Sequence, residues 1–553
     1  MTTVAPRPAR PAGEADDAQV DVLGTGDASG AGSAAGASRG TAVRRQLAGL
    51  LRERARSRTG TAAAAAVIAV VAVAARVYAL DDVGFNSDEA VYAGQGASIG
   101  GDPTTLPYFP VFRAHPLLFQ STISVVYEVF GRSDLAARLT AVVFGLLTVW
   151  VTYHLGKEIH TRAGGLLAAL LLALMPYHVV VSRQVLLDGP QTLFSTAALY
   201  GLARYSRRRQ DLWLHLGAVA LGASVIAKET SVILLGAVFA YFALTPTIRT
   251  GPRRIATSLT IFALVVAAYP LSLRLAGASG TGGAFLTYQL FRRSNHPLTF
   301  YPTVVPPALG LGVLVAAVAG LWLRRGRFGW RDALLWSWVL VPCAFFELFP
   351  VKGYQYLLPI AAPMAVLAAT TLLDWPHAVR RRGRHVPAWL PAAAVAAVVV
   401  TLVVPTVRFV VPAQRSTFLA GTGGVQGGRE LGGWIDRHVP EGVTILTIGP
   451  SMANIIQWYG HRAARGLSVS PNPLYRNPVY DPIANPDLAI RRNQVQYVVW
   501  DTFSAQRSPH FAESLQRYVD RYSGREVHRQ SARVDKDGRQ VQTPLIIVYE
   551  VRP

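Results

Sequence analysis

A single cysteine, Cys343, stands in this 553-residue chain. It falls within an apolar stretch, so an internal disulfide is excluded even for a segment facing an oxidising compartment. Metal-spaced Cys and His clusters, heptads and internal repeats are lacking as well. Glycines gather over 421–428, but no Lys-Ser/Thr follows, which removes a phosphate loop and disfavours direct use of a nucleotide sugar. Acidic residues are scarce beside basic ones, 32 against 54, leaving a formal charge of +22. Such an excess can mark a nucleic-acid binder; here its location decides otherwise.

What the chain has in abundance is apolar sequence, with 51% of residues hydrophobic and a mean hydropathy of +0.29. The first long run, 61–80, is about 20 residues rich in Ala, Val and Ile, enough to cross a hydrocarbon core of about 30 Å. Arg44, Arg45, Arg52, Arg54, Arg56 and Arg58 precede it and stay cytoplasmic under the positive-inside rule. Because about 60 residues come before it, the run reads as a retained helix rather than a cleaved signal. Helices near 62–80, 134–156, 163–181, 188–206, 211–227, 230–247, 257–276, 304–323, 332–350, 354–373 and 387–411 put every later basic cluster on the same side. Those clusters are Lys157 with Arg162, Arg204 with 207–209, Arg249 with Arg253 and Arg254, 324–331, and 380–384. The expected fold class is a polytopic α-helical membrane protein of about eleven spans with an extracytoplasmic C-terminal α/β domain.

Three regions follow. Residues 1–60 form a basic cytoplasmic tail, of which 1–42 bury too little apolar area to offset chain entropy and are expected to be disordered. Residues 61–411 form the transmembrane domain, and 412–553 the outer domain. There, strand-like runs at 443–448, 495–500 and 545–549 alternate with helical stretches near 428–438 and 511–522. Two long outer loops carry most of the polar chemistry. Loop 81–132 holds Asp88 and Glu89 just after the first span, then Arg113 and His115-Pro116, then an amphipathic stretch ending at Phe130. Loop 277–301 holds Tyr288, Phe291, Arg292, Arg293, Asn295 and His296.

Ser87-Asp88-Glu89-Ala90-Val91-Tyr92-Ala93, His115-Pro116, Gly131-Arg132-Ser133 and Arg138-Leu139 are followed by Ser182-Arg183, Asp188 and Thr192-Leu193-Phe194. Ala227-Lys228-Glu229, Lys352 and Tyr356-Leu357-Leu358-Pro359 complete the series. In this order, over 62–375, the residues resemble the GT-C glycosyltransferases that use polyprenyl-phosphate sugars, particularly the protein O-mannosyltransferase-like enzymes and the lipid A aminoarabinose transferase of the family 39 type. The resemblance implies the GT-C fold and transfer of a sugar from a polyprenyl phosphate to a lipid, glycan or protein acceptor on the outer face, with inversion. It also implies Asp88 as base, with Glu89 and Asp188 as the other acidic groups, Glu89 in an orienting role. Arg183, Lys228 and Lys352 would bind the donor phosphate, and Tyr92, His115 and Tyr356 would contact the acceptor or the loop. No cofactor is certain, and a divalent metal at His115 is disfavoured; partners are the lipid-linked sugar, its acceptor and the bilayer, without nucleic acid.

The residues by themselves leave plainer readings open. Sugar transfer to a hydroxyl needs a base for the acceptor proton and cations for the leaving phosphate, but Asp88 and Glu89 also suit a helix cap. Arg183 and Asp188 suit an ion pair with each other. Lys228 suits a snorkelling side chain with Glu229 as counter-ion, and Lys352 an interfacial Lys beside a Tyr belt. Arg138 is expected to pair within the fold, and Arg292, Arg293 and His296 to gate the lipid carrier. Tyr108, Phe109 and Trp458, with Tyr92, are available to stack on sugars. Two other classes compete: a transporter or flippase for a lipid-linked substrate, and a non-catalytic membrane scaffold. Against transport, the ionisable groups collect at the outer ends of the spans rather than at midplane.

Overall fold

A computed structural model describes residues 59–292, 294–411, 425–536 and 539–553. The expected tail over 1–58, Arg293 and the glycines of 421–424 lie outside the described residues. Contacts divide the chain into Met1–Ala63 and Ala64–Pro553; of the first unit only the start of the helix Thr59–Val77 is described.

Every expected span coincides with a helix or with two consecutive ones. Thr59–Val77, Asp134–Ile159, Pro252–Leu275, Tyr354–Arg381 and Leu390–Val410 are long and apolar enough to cross a membrane. Phe300–Leu309 and Leu311–Leu323 would make a sixth, bent by 98°. The bend has a local cause: Pro306 and Pro307 interrupt the first half, and Gly310 sits at φ 86°, where a side chain would also strike Leu402. The span expected at 163–181 is broken into Arg162–Leu174 and Pro176–Val181, because Pro176 starts a new helix. The rest, including Asp188–Arg208, Asp211–Ala227 and Trp330–Leu348, are helices in the expected positions.

Caps and close contacts set this arrangement. Ser133 and Thr161 accept from the backbone nitrogens of Ala136 and Gly164, starting Asp134–Ile159 and Arg162–Leu174 where the sequence turns polar. Those two helices then pack backbone against backbone: a Cβ on Gly165 would lie 2.4 Å from the Tyr153 carbonyl. Small residues at helix crossings replace hydrophobic collapse as the means of close packing in lipid. The shared core includes Leu155, Leu171, Tyr177, Leu199, Trp338 and Met364.

After 425 the chain forms a five-stranded sheet in the order β2-β1-β3-β5-β4. Its strands are β1 (Thr444–Thr447), β2 (Ala463–Gly466), β3 (Val495–Asp501), β4 (Arg525–Lys536) and β5 (Arg539–Glu550). β1 pairs in parallel with β2 and β3, whereas β5 runs antiparallel to β3 and β4. Alternate residues feed two cores: Ile445 and Val499 face Leu431, Ile435 and Ile455, while Leu446 and Val498 face Ile490, Leu515 and Val519. Period-two burial on both faces is what makes this an α/β layer.

This domain is fastened to loop 81–132. Arg429 reaches Asp81 at 2.6 Å and Asp134 at 2.7 Å. Asp134 also accepts from Tyr459 Oη and from Trp458 Nε1, and Tyr459 Oη accepts from the Phe85 backbone nitrogen at 2.7 Å. Trp458 packs with Phe85 and Phe109 in a small core of its own. The segment leading into the Asp88 helix is thereby held from both sides.

Candidate active site

Asn86 begins the helix Ser87–Ile99, its side chain accepting from the backbone nitrogens of Asp88 and Glu89. Glu89 returns the contact, accepting from the Asn86 nitrogen at 3.0 Å, a capping box. The capping expectation is therefore met, with Asn86 rather than Asp88 as the cap. Glu89 is wholly buried, and both oxygens are taken: Arg138 donates through Nε at 2.9 Å and Nη2 at 2.8 Å, and the Val185 backbone nitrogen donates at 3.1 Å. Arg138 in turn holds the carbonyls of Leu80, Val83 and Gly84. With both oxygens occupied in this way, Glu89 is placed to hold the helix start, in keeping with an orienting role rather than proton transfer. Arg138 pairs within the fold, as expected.

Asp88 differs in every respect. Its residue is exposed, and among the described residues its carboxylate has no hydrogen-bond or ion-pair partner. It lies in a concavity where the surrounding protein pushes its pKa above the ordinary range, against the opposing pull of Lys228, His115 and Arg507. The cations do not reverse the effect of desolvation.

Around this carboxyl the sequence candidates are paired in ways that their order in the chain does not suggest. Lys228 Nζ donates to Asp188 Oδ1 at 2.7 Å, both side chains being buried, and lies 4.3 Å from the centre of the Tyr356 ring. Glu229, the expected counter-ion of Lys228, instead holds His115 Nδ1 at 3.0 Å. The cause is the break at Lys228: its extended backbone ends Asp211–Ala227 and starts the 3-10 turn Glu229–Ile233, sending the two side chains to different partners. The His115 ring meets Phe285 at 4.9 Å and Tyr92 at 6.1 Å. Asp88, Tyr92, His115, Asp188, Lys228, Glu229 and Tyr356 thus form one neighbourhood.

Two expected phosphate ligands are not brought there. Arg183 donates to the carbonyls of Ala75, Arg76 and Ala79, capping the end of Thr59–Val77. Lys352 directs its ammonium to the carbonyls of Phe346, Glu347 and Phe349 at the end of Trp330–Leu348. In both cases a cation answers the unpaired carbonyls of a helix terminus. In their stead Arg292 lies within electrostatic reach of Tyr356, and Arg507 of Asp88 and His296. Among the described residues neither arginine has a carboxylate within 4.0 Å. Arg507, at the end of the short helix Thr502–Arg507, comes from the α/β domain and carries no motif that would have singled it out.

Comparison with known proteins bears on this arrangement. The family model described as dolichyl-phosphate-mannose-protein mannosyltransferase matches residues 114–272. The undecaprenyl phosphate-alpha-4-amino-4-deoxy-L-arabinose arabinosyl transferase of Aeromonas salmonicida is 25% identical over 289 residues, 48% of this chain and 51% of that protein. The chain therefore spans about half the length of that curated relative. Among solved structures, ArnT from Cupriavidus metallidurans in the apo state superposes with a TM-score of 0.63 at 15% identity, covering 89% of this chain and 98% of ArnT. The same protein bound to undecaprenyl phosphate gives 0.58 at 14%, covering 88% and 97%. The oligosaccharyltransferase of Archaeoglobus fulgidus in its apo form gives 0.55 at 14%, covering 87% and 74%. The structural likenesses give the fold, which is GT-C. Together with the family model and the arabinosyl transferase relative, they support a GT-C glycosyltransferase family for this multi-pass membrane protein.

Proposed function

We propose that the chain transfers a single sugar from a polyprenyl phosphate to a hydroxyl-bearing or phosphate-bearing acceptor at the outer membrane face, with inversion at the anomeric carbon. The observation that carries this reading is the contrast between an unpartnered Asp88 and the saturated Glu89 beside it. In the step envisaged, the acceptor oxygen attacks the anomeric carbon while Asp88 takes its proton. The bond from that carbon to the phosphate oxygen breaks, and the polyprenyl phosphate leaves with one more negative charge. A raised pKa suits the base, bringing its proton affinity closer to working pH. Lys228, Arg292 and Arg507 are the cations assigned to the phosphate as charge develops. Glu89 and Arg138 act as positioning residues that fix the first turn of the Asp88 helix, and Asp188 orients Lys228. The C-terminal domain on the outer face would close the site by supplying Arg507. The undecaprenyl phosphate seen with ArnT supports a lipid phosphate as the leaving group.

The test is transfer of radiolabelled sugar from defined polyprenyl-phosphate donors to membrane acceptors, comparing purified wild type with Asp88→Asn at matched folding. Loss of transfer with donor binding retained is the expected result. Equal transfer by the two proteins would remove Asp88 as base and revive the transport and scaffold readings.

A further inference from the structure

Beside the Asp88 helix lies a cavity of about 400 Å³, between loop 81–132 and the α/β domain. Tyr108, Arg113, Asn454, Gln457, Arg465 and Tyr480 are among the residues that line it. A volume in the range of about 300–1,000 Å³ is that of an ordinary small-molecule site.

Arg113 is the feature that demands a ligand. It is 7% exposed, yet its Nη1 has no hydrogen-bond partner among the described residues. Its other terminal nitrogen makes only long contacts of 3.5 Å, to Asn454 Oδ1 and the Val479 carbonyl. No carboxylate lies within ion-pair distance of it among the described residues. The guanidinium is instead flanked by rings, 5.2 Å from the centre of Tyr480 and 5.9 Å from that of Phe109. Rings steady a cation without supplying a hydrogen-bond acceptor for each N–H. A buried guanidinium with a free donor is costly to keep unless an anion completes it.

The cavity adds a second cation and a link to the site. Arg465 is half-exposed at its wall, with Asp481 at a loose 3.9 Å and itself open to solvent. Asn454, buried to 1% exposure, donates to Ser87 Oγ at 2.9 Å and to Tyr480 Oη at 3.2 Å. Ser87 is the residue before Asp88, so whatever touches Asn454 in the cavity abuts the first turn on which the base is carried. Tyr108 offers a ring on which a sugar can stack.

We infer that this cavity is the acceptor subsite and that it selects an anionic saccharide, holding a carboxylate or phosphate group on Arg113 and Arg465 while the neighbouring oxygen reaches Asp88. This rests on the reading of Asp88 as base, but the binding step can be examined apart from it. A planar guanidinium pairs an oxyanion through two parallel N–H donors, a charge-assisted contact stronger than those it makes to the hydroxyls of a neutral sugar.

The experiment is isothermal titration calorimetry of the full chain in nanodiscs with methyl glucuronide, methyl glucoside 6-phosphate and neutral methyl glucoside. At least one charged glycoside should bind tenfold or more tightly than the neutral one, and which of the two does so separates carboxylate from phosphate. Arg113→Gln should abolish the preference; should that variant fail to fold, Arg465→Gln at the wall should reduce it several-fold. Asp88→Asn should keep it, so a normal rate of transfer by that variant would sink the base assignment without touching the cavity. Equal binding of charged and neutral glycosides, absence of binding by folded wild type, or a preference that survives both arginine substitutions would overturn the inference.

Discussion

The Glu89–Arg138 knot and the Asp88 concavity begin at adjacent residues of one helix, yet they treat charge in opposite ways. In the knot, one carboxylate meets a guanidinium through two short bonds, and backbone nitrogens take up the rest of its capacity. In the concavity, carboxylates and cations are matched less completely: Lys228 has Asp188 and His115 has Glu229, but Asp88, Arg292 and Arg507 have no ion-pair partner among the described residues. Saturated pairs rigidify, whereas groups left without a protein partner stay free to take a ligand in place of water. The helix N-terminus is therefore built firmly on one side so that its other side can remain open.

The sharpest way to break the comparison is to make Asp88 neutral. Asp88→Asn should lower the transfer rate by about 10²–10⁴-fold, the usual worth of a positioned base, while the thermal unfolding midpoint stays within a degree or two. Because the protein crowded around Asp88 desolvates it and raises the wild-type pKa, the rate should fall on acidification with a midpoint above the ordinary Asp value. A flat pH–rate profile, or a variant that loses stability along with its rate, would mean that Asp88 belongs to the knot rather than to the reaction.

Substitutions in the paired groups should do the reverse. Glu89→Gln leaves Arg138 buried with no counter-charge and should cost about 3–5 kcal/mol, seen as a lowered midpoint in a thermal or denaturant melt. Lys228→Met strands Asp188 in the same way, with a similar cost expected. Adding Asp188→Asn to Lys228→Met should recover much of that stability. If the pair served packing alone, transfer would recover with it; a double variant that folds well and still binds donor phosphate poorly is the outcome expected for a phosphate-facing Lys228.

The long helices were legible because apolar runs of that length are set by the bilayer itself, residue by residue. The break at Pro176 and the bend at Gly310 lie where the sequence did carry Pro and Gly, but hydropathy averages over them. In the α/β domain, β1, β3 and part of β5 were readable as apolar strand runs, whereas β2, Ala463–Gly466, and the charged β4, Arg525–Lys536, lacked that signal. Candidate residues in loop 81–132 could be nominated only through the resemblance to the GT-C enzymes, since a helix cap accounts for the same acidic pair. Pairings were not readable: Arg183 and Glu229 found partners more than a hundred residues away, and Lys352 turned back onto the carbonyls three to six residues before it. Arg113 and Arg507 were hidden among many surface arginines, since nothing in sequence distinguishes a buried, unpaired guanidinium from a solvated one.

A third kind of carboxylate, half-way between the two regions, grades the comparison. Asp501 at the end of β3 is 1% exposed; one oxygen caps the next helix through the Ser504 nitrogen at 2.7 Å, and the other has no partner among the described residues. Burial lifts its pKa from 3.8 to about 6. With the folded value above the unfolded one, its contribution to stability is complete below pH 3.8 and is lost as pH rises through about 6. The expected loss is about 3 kcal/mol. Asp501→Asn, which keeps the cap, should flatten that dependence and raise the unfolding midpoint at pH 7.5; an unchanged pH profile would show that the second oxygen is hydrated in solution.

The smallest effect is expected at Arg183, where the resemblance implied a phosphate ligand and geometry gives a helix-end cap. Arg183→Gln removes charge-assisted bonds to the carbonyls of Ala75, Arg76 and Ala79 and should cost about 1.5–3 kcal/mol. If capping is its whole role, the KM for the polyprenyl-phosphate donor should stay within twofold while stability falls. A tenfold rise in that KM, with folding intact, would instead return Arg183 to the donor and extend the open region across the C-terminal end of Thr59–Val77. Lys352, bound to carbonyls in the same manner, supplies the parallel measurement. Two caps that leave donor affinity unchanged would confine phosphate recognition to Lys228, Arg292 and Arg507, the cations that face Asp88 and its neighbours rather than a helix terminus.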